Sequence, residues 1–182
     1  MFPVRLANGV ELTIRPIRPD DKARLAAGHD LLSPDTQRLR FLMPKPRLTA
    51  ADLRYLTEID GVDHVAFVAV PTARDDVTMA VGRFVRDPER PDTAEFAIVV
   101  ADELQGMGLG SRLAEVLASA AAERGIRRFS ATVLRENRAV QRLLARISLR
   151  LEAARWSEGE GELVYELRPS ASDGEASERR AA

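Results

Sequence analysis

The chain has 182 residues, of which 45% are hydrophobic and 30% charged, with a formal net charge of −1 at pH 7. That length suits one domain with a sizeable core, and the balanced charge provides no general attraction for polyanions. Cysteine is absent, which excludes disulfides, thiolate metal sites and a cysteine nucleophile.

Near the N-terminus, Met1 to Val10 contains Pro3, Arg5 and Asn8-Gly9 where a signal peptide needs an unbroken apolar core, and no later run is long enough to span a bilayer. A cytoplasmic protein with no membrane partner is expected. Val10-Glu-Leu-Thr-Ile14 alternates apolar and polar residues and reads as a first strand, ended by Pro16 and Pro19. Helical spacing follows from Asp20 to Leu32. Ser33-Pro34 opens a second short helix, and Thr49-Ala-Ala-Asp52 a third with Asp52 placed to complete a capping box. His64–Val70, Thr78–Val85 and Thr93–Val100 are β-branched or aromatic runs separated by turns, the pattern of an antiparallel meander. Leu109, Leu113, Val116, Leu117, Ala120 and Ala121 then trace one helical face, which stops at Gly125. Phe129–Val133 is a strand, Val140, Leu143, Leu144 and Ile147 form the stripe of a last helix, and Leu151–Trp156 and Leu163–Arg168 are two final strands. The order is mixed α+β. Residues 1–168 are expected to form one domain, and 169–182, rich in Ser, Ala, Glu and Arg, a disordered tail.

The chemistry gathers at Gln105-Gly106-Met107-Gly108-Leu109-Gly110. Glycines at alternate positions let the backbone turn tightly and point N–H groups inward, and the helix that follows adds its positive end, a setting suited to a pyrophosphate. Taken alone, the cluster is equally consistent with a flexible turn. No Lys-Ser or Lys-Thr follows the last glycine, so the run is not a P-loop, and the G-x-G-x-G spacing departs from the dinucleotide fingerprint. The run does resemble the Q/R-x-x-G-x-G/A signature of the GNAT superfamily of N-acyltransferases. The surrounding order of strand, loop, helix, strand and Glu136-Asn137 resembles that family's core, over roughly Val10 to Arg168. Within it, Leu32-Ser33-Pro34, Arg38-Leu39-Arg40-Phe41 and Ala94-Glu95-Phe96-Ala97 resemble the catalytic domain of bacterial protein lysine acetyltransferases.

The resemblance implies a mostly antiparallel twisted sheet, splayed at the acyl-CoA site and flanked by helices. It implies acetyl-CoA as co-substrate, with its pyrophosphate on the N–H groups of Gln105, Gly106, Met107, Gly108, Leu109 and Gly110, together with Ser111, and pantetheine along Ile98, Val99 and Val100. Asn137 matches the family's asparagine near the pantetheine arm and suits a helix N-cap equally well. The expected activity is transfer of an acetyl group to a primary amine, with a protein lysine as first choice. A small amine, a protein N-terminus or a non-catalytic acyl-CoA sensor are the alternatives.

A lysine amine, with a pKa of about 10.4, must lose a proton before it attacks a thioester. Glu95 is the only acid within Ala94–Val100 and shares a strand face with Ala97 and Val99, so it is the candidate base, with partial burial expected to raise its pKa. Exposure on a strand edge, or pairing with Arg83 or Arg86, is the competing reading. Val99 is expected to offer its backbone N–H to the oxyanion. Many relatives carry a tyrosine seven residues after the asparagine as general acid; Leu144 stands there and reads as core. Tyr55 is a substitute donor or, on its helix, a partly buried packing residue. The family's usual Gly-Phe after that helix is Ser148-Leu149.

Arg112 and Arg142 are candidates for the 3′-phosphate or plain solvated arginines. Arg38, Arg40 and Phe41 are candidates for the acceptor cleft or ordinary packing. His29 and His64 lack metal-ligand spacing and read as surface or loop residues, so no metal is expected. The scattered arginines form no nucleic-acid patch, and a monomer or homodimer is equally open.

Overall fold

The computed structural model describes residues 1–74 and 76–169. β1 (Phe2–Arg5) and β2 (Glu11–Pro16) form a hairpin over Asn8-Gly9, where the Asn8 side-chain oxygen accepts the Val10 N–H at 3.1 Å. The alternation within Val10–Ile14 locates β2, while β1 has no such signal: Pro3 interrupts it, which an edge strand tolerates. A 3-10 turn at Pro19–Asp21 leads into α1 (Lys22–Asp30). Here Arg15 and Asp21, both buried, meet through two bonds of 2.7 Å, a bidentate pair that neutralises each charge inside the protein.

α2 (Pro34–Phe41) starts at Ser33, whose hydroxyl accepts the Thr36 N–H, and α3 (Ala50–Thr57) starts at the Thr49/Asp52 capping box read from the sequence. β3 (His64–Pro71), β4 (Ala80–Arg86) and β5 (Thr93–Val100) make the expected antiparallel meander. A 3-10 turn at Asp102–Leu104, the glycine loop and α4 (Leu109–Ala122) come next, then β6 (Arg128–Leu134), α5 (Arg138–Ile147), β7 (Ser148–Ser157) and β8 (Glu160–Leu167). Among the described residues the strands form one sheet in the order β1-β2-β3-β4-β5-β6-β8-β7, with β5 and β6 its parallel pair.

Strand alternation divides the core between the two faces of this sheet. On one face Phe84, Phe96, Ile98 and Phe129 pack with Leu109, Leu113 and Leu117 of α4, the Phe96 and Phe129 rings 5.1 Å apart. On the other, Val68, Val70 and Val81 pack with Ile17, just after β2, and with Leu25 and Leu56 of the early helices, and Val99 joins them. The fold is thus mixed α/β with a mostly antiparallel sheet, as expected. The tail expected at 169–182 lies outside the described residues, Pro169 excepted.

The feature that positions the site is a failure of pairing. β5 and β6 are in register only at Thr93↔Arg128, Ala94↔Phe129 and Glu95↔Ser130. Beyond Glu95 the two strands part, and the sheet opens into a wedge.

Candidate active site

The wedge continues into a cleft of about 570 Å³. Ile98, Val99 and Val100 of β5 form one wall, Gln105, Gly106, Gly108, Gly110 and Ser111 the floor, and Asn137, Ala139, Val140, Arg142 and Arg146 of the α5 segment the other wall. Thr36, Leu39 and Arg40 of α2 close one side. Nine of the residues selected from the sequence as cofactor contacts therefore face one cavity. Met107 and Leu109 do not: Leu109 is the first residue of α4 and wholly buried in the core, and Met107 packs against that core, so each has only its backbone to offer the cleft.

Gly106 and Gly108 have φ of +75° and +88°, in the region that favours glycine. A Cβ at either would meet nothing within 4 Å, so backbone conformation and an unobstructed floor are what these positions require. Gly108 is also the N-cap of the 14-residue α4, whose first N–H groups lack intrahelical partners and point a positive helix end at the cleft.

Side chains fix the loop in place. Gln105 donates from Nε2 to the Val100 carbonyl at 3.1 Å and to the Thr36 hydroxyl at 3.3 Å. Asp102 accepts from the Ser33 N–H (2.9 Å), the Ser33 hydroxyl (2.8 Å) and the Thr36 hydroxyl (2.7 Å). Desolvation works to raise the Asp102 pKa, but those hydrogen bonds outweigh it and the pKa falls below its ordinary value of 3.8. A carboxylate lowered in this way stabilises the fold above its unfolded pKa, and that contribution is lost as pH falls through the folded value. Asp102→Asn is accordingly expected to cost about 1 kcal/mol at neutral pH for a partly solvated carboxylate. In urea unfolding the gap to the wild type should narrow as pH drops below 3.8; a gap independent of pH would count against this role.

Asn137 combines both roles read from its sequence position: its side-chain oxygen caps α5 by accepting the Val140 N–H at 3.2 Å, and the residue lines the cleft. Arg142 lines the cleft, whereas Arg112 is held by Glu115 at 2.8 Å. Arg146, one turn after Arg142, is a further lining cation that the i, i+4 spacing on one helix would have revealed. Arg38 pairs with Glu136 at 2.9 Å, joining α2 to the start of α5.

Glu95 is the last residue of β5 paired to β6, and its side chain is exposed, not partly buried as expected. The strand turns it toward the face of Val99 and the early helices. The alternative pairing with Arg83 or Arg86 is not seen: Arg86 binds Asp63 at 2.6 Å, and Arg83 lies deeper. The role expected of the Val99 N–H needs correction. The Ala101 N–H donates to the Met79 carbonyl, toward β4, and β5 pairs with β4 without a bulge from Ala94 to Val100, so alternation directs the Val99 N–H the same way. The backbone groups on the opened side belong to Phe96, Ile98 and Val100.

Leu144 is fully buried, as its helical stripe indicates. Tyr55 is 61% exposed with its ring 5.2 Å from His64, so it is not the partly buried residue expected. Neither histidine is a surface residue. His29 is buried and donates from Nε2 to the Lys45 carbonyl at 2.7 Å, and half-buried His64 is bonded to Arg83 at 3.0 Å. Histidines that close hydrogen bonds to residues 16 and 19 positions away leave no periodic mark in a sequence.

Comparison with known proteins agrees with this geometry. Residues 29–148 match the model of the acetyltransferase (GNAT) family. Acetyltransferase Pat of Mycolicibacterium smegmatis is 37% identical over 147 residues, covering 80% of this chain and 43% of that protein, so the chain spans less than half the length of this relative. Acetyltransferase PA5475 of Pseudomonas aeruginosa is 31% identical over 139 residues, covering 76% of this chain and 74% of that protein. The crystal structure of the GNAT domain of S. lividans PAT superposes with a TM-score of 0.81 at 33% identity, covering 91% of this chain and 96% of that one. With the wedge after Glu95, the glycine loop at the mouth of α4 and these matches in agreement, the chain belongs to the acetyltransferase (GNAT) family.

Proposed function

We propose that the chain transfers the acetyl group of acetyl-CoA to a protein lysine, with Glu95 as general base. The observation that carries this reading is the position of Glu95 at the point where β5 and β6 part, with the glycine loop at the far end of the same opening. Glu95 removes a proton from the incoming ammonium, through water since its carboxylate is exposed. The freed amine attacks the thioester carbon. The oxyanion is met by an N–H of the opened edge, that of Ile98 being on the cleft wall; the attacking nitrogen gives up its extra proton to solvent, and collapse of the intermediate expels the thiolate, which takes a proton from solvent because Leu144 offers none. The loop N–H groups from Gln105 to Gly110 and the start of α4 hold the pyrophosphate, and Arg142 and Arg146 supply positive charge on the opposite wall.

Protein lysine as acceptor rests on similarity to proteins named Pat, on the Arg38–Phe41 and Ala94–Ala97 segments, and on acetyltransferase matches over most of the chain. A screen of acetyl-CoA consumption against lysine peptides, folded proteins and small amines tests it. Turnover on folded proteins or lysine peptides is the expected result. Turnover confined to small amines, or none with acetyl-CoA still bound, would replace this reading by a small-amine acetyltransferase or by a sensor.

A further inference from the structure

A second, smaller cavity of about 40 Å³ lies between the early helices and the Val99 face of the sheet. Leu25, Leu56 and Val81 make it largely apolar, and it adjoins the acyl-CoA cleft, since Arg40 and Val99 line both. Two guanidinium groups belong to its wall, those of Arg40 and Arg83. Arg83 is 4% exposed. It donates from Nη2 to the Leu56 carbonyl at 3.2 Å and from Nη1 to His64 Nε2 at 3.0 Å, while its buried Nε has no partner among the described residues. Thr78, on the same wall, has a buried hydroxyl that is also without a partner.

Among the described residues no carboxylate lies within ion-pair distance of either arginine. Arg15, equally buried, shows what this protein does with a structural arginine: it gives it Asp21 in bidentate contact. Arg83 receives instead a histidine that burial, with the Arg83 charge adding to it, holds at a pKa of about 4, hence neutral at physiological pH. Burial also depresses the pKa of Arg83 to about 9, with the charge of Arg40 acting in the same sense, and burial depresses that of Arg40 against the opposing charge of Glu95. Two like charges in an apolar enclosure, with an idle N–H and an idle hydroxyl, are costly unless an anion arrives to meet them.

We infer that this cavity is a carboxylate subsite of the acceptor: the amine that becomes acetylated carries a carboxylate that docks on Arg40 and Arg83. A planar, two-oxygen anion matches the edge of a guanidinium. The small apolar surround suits a carboxylate on a methylene stem. Its side of the sheet is that of Glu95, which places the amine of such an acceptor toward the base. The carboxylate has two sources, the α-carboxylate of a free amino acid or an Asp or Glu side chain close to a target lysine in a protein. The inference rests on the acetyltransferase reading for its kinetic arm and is independent of it for its binding arm.

The kinetic arm compares lysine peptides in which one flanking position is Glu or Gln, and free lysine with lysinamide. The binding arm titrates the full chain with glutarate and with glutaramide by calorimetry. In the wild type the acidic member of at least one pair should have a KM about tenfold lower, the value of one charge-assisted bond. That ratio should fall to about one in Arg40→Gln, and glutarate but not glutaramide should bind. A Glu preference assigns the side-chain source, and a preference for free lysine over lysinamide the α-carboxylate. Arg83→Met would be the more direct variant but is buried, and Arg40→Gln, at a partly exposed position, keeps the test available if it does not fold. Equal KM within every pair, or a ratio unchanged in Arg40→Gln, overturns the subsite. A chain that acetylates no amine sinks the acetyltransferase reading, and glutarate titration then decides: binding that depends on Arg40 upholds the subsite, and absence of binding overturns it.

Discussion

Glu95→Gln is expected to leave acetyl-CoA binding intact while turnover on an accepted amine falls by about 10²- to 10⁴-fold, the usual contribution of a positioned general base. Glutamine keeps the size and exposure of the side chain, so the β5–β6 register at Glu95↔Ser130 and the opening beyond it should persist. What it cannot do is accept a proton, and the ammonium of the acceptor then has only water to neutralise it. The residue lies outside the acyl-CoA cleft lining, so calorimetric affinity for acetyl-CoA should match the wild type. Initial rates under saturating acetyl-CoA give the comparison. Equal turnover in the two proteins would remove Glu95 from the mechanism and leave deprotonation to solvent.

Gly108→Glu should act at the other end of the cleft and on the other quantity. The position has φ +88°, so any side chain is held in a disfavoured backbone region at a cost of about 1–2 kcal/mol. It also caps α4, so a carboxylate here would stand among the N–H groups proposed to hold the pyrophosphate, with like charge facing like. An acetyl-CoA affinity loss of about 100-fold or more is expected from displaced hydrogen bonds and repulsion together. Gly108→Ala separates the contributions: its Cβ meets nothing within 4 Å, so it carries the backbone penalty alone and should retain far more of the affinity. Thermal unfolding of both variants shows what part is stability. Unaltered affinity in Gly108→Glu would refute a phosphate site at this helix end.

How far the sequence predicts this site depends on whether a feature is local. The Thr49/Asp52 box, the Ser33-Pro34 start and the Leu109–Ala121 stripe involve neighbours in the chain, and each appears where its spacing indicates. Most of the cleft lining is legible as well, through the resemblance to the GNAT signature, which points to Ile98–Val100, the Gln105–Gly110 run and Asn137; glycine spacing alone indicates only an anion-ready loop. The Val99 N–H is not legible, since its direction depends on which edge of β5 is paired, and one residue of register reverses it. The exposure of Glu95 is set by tertiary packing over β5, which strand alternation does not show. Arg83 is the strongest case: from its sequence it is a strand arginine like Arg86, yet one is buried against His64 and the other reaches Asp63 at the surface.

Thr36 donates to Asp102 and accepts from Gln105, so the first turn of α2 is moored to the loop that leads into α4. The same helix carries Arg40, shared by both cavities. The wall proposed to meet the acceptor and the loop proposed to hold the donor are therefore tied to each other through Thr36. Exchanging α2 alone to change the proposed acceptor is therefore expected to disturb acetyl-CoA affinity as well, and a transplant that keeps that affinity should carry residues 33–41 together with 102–105.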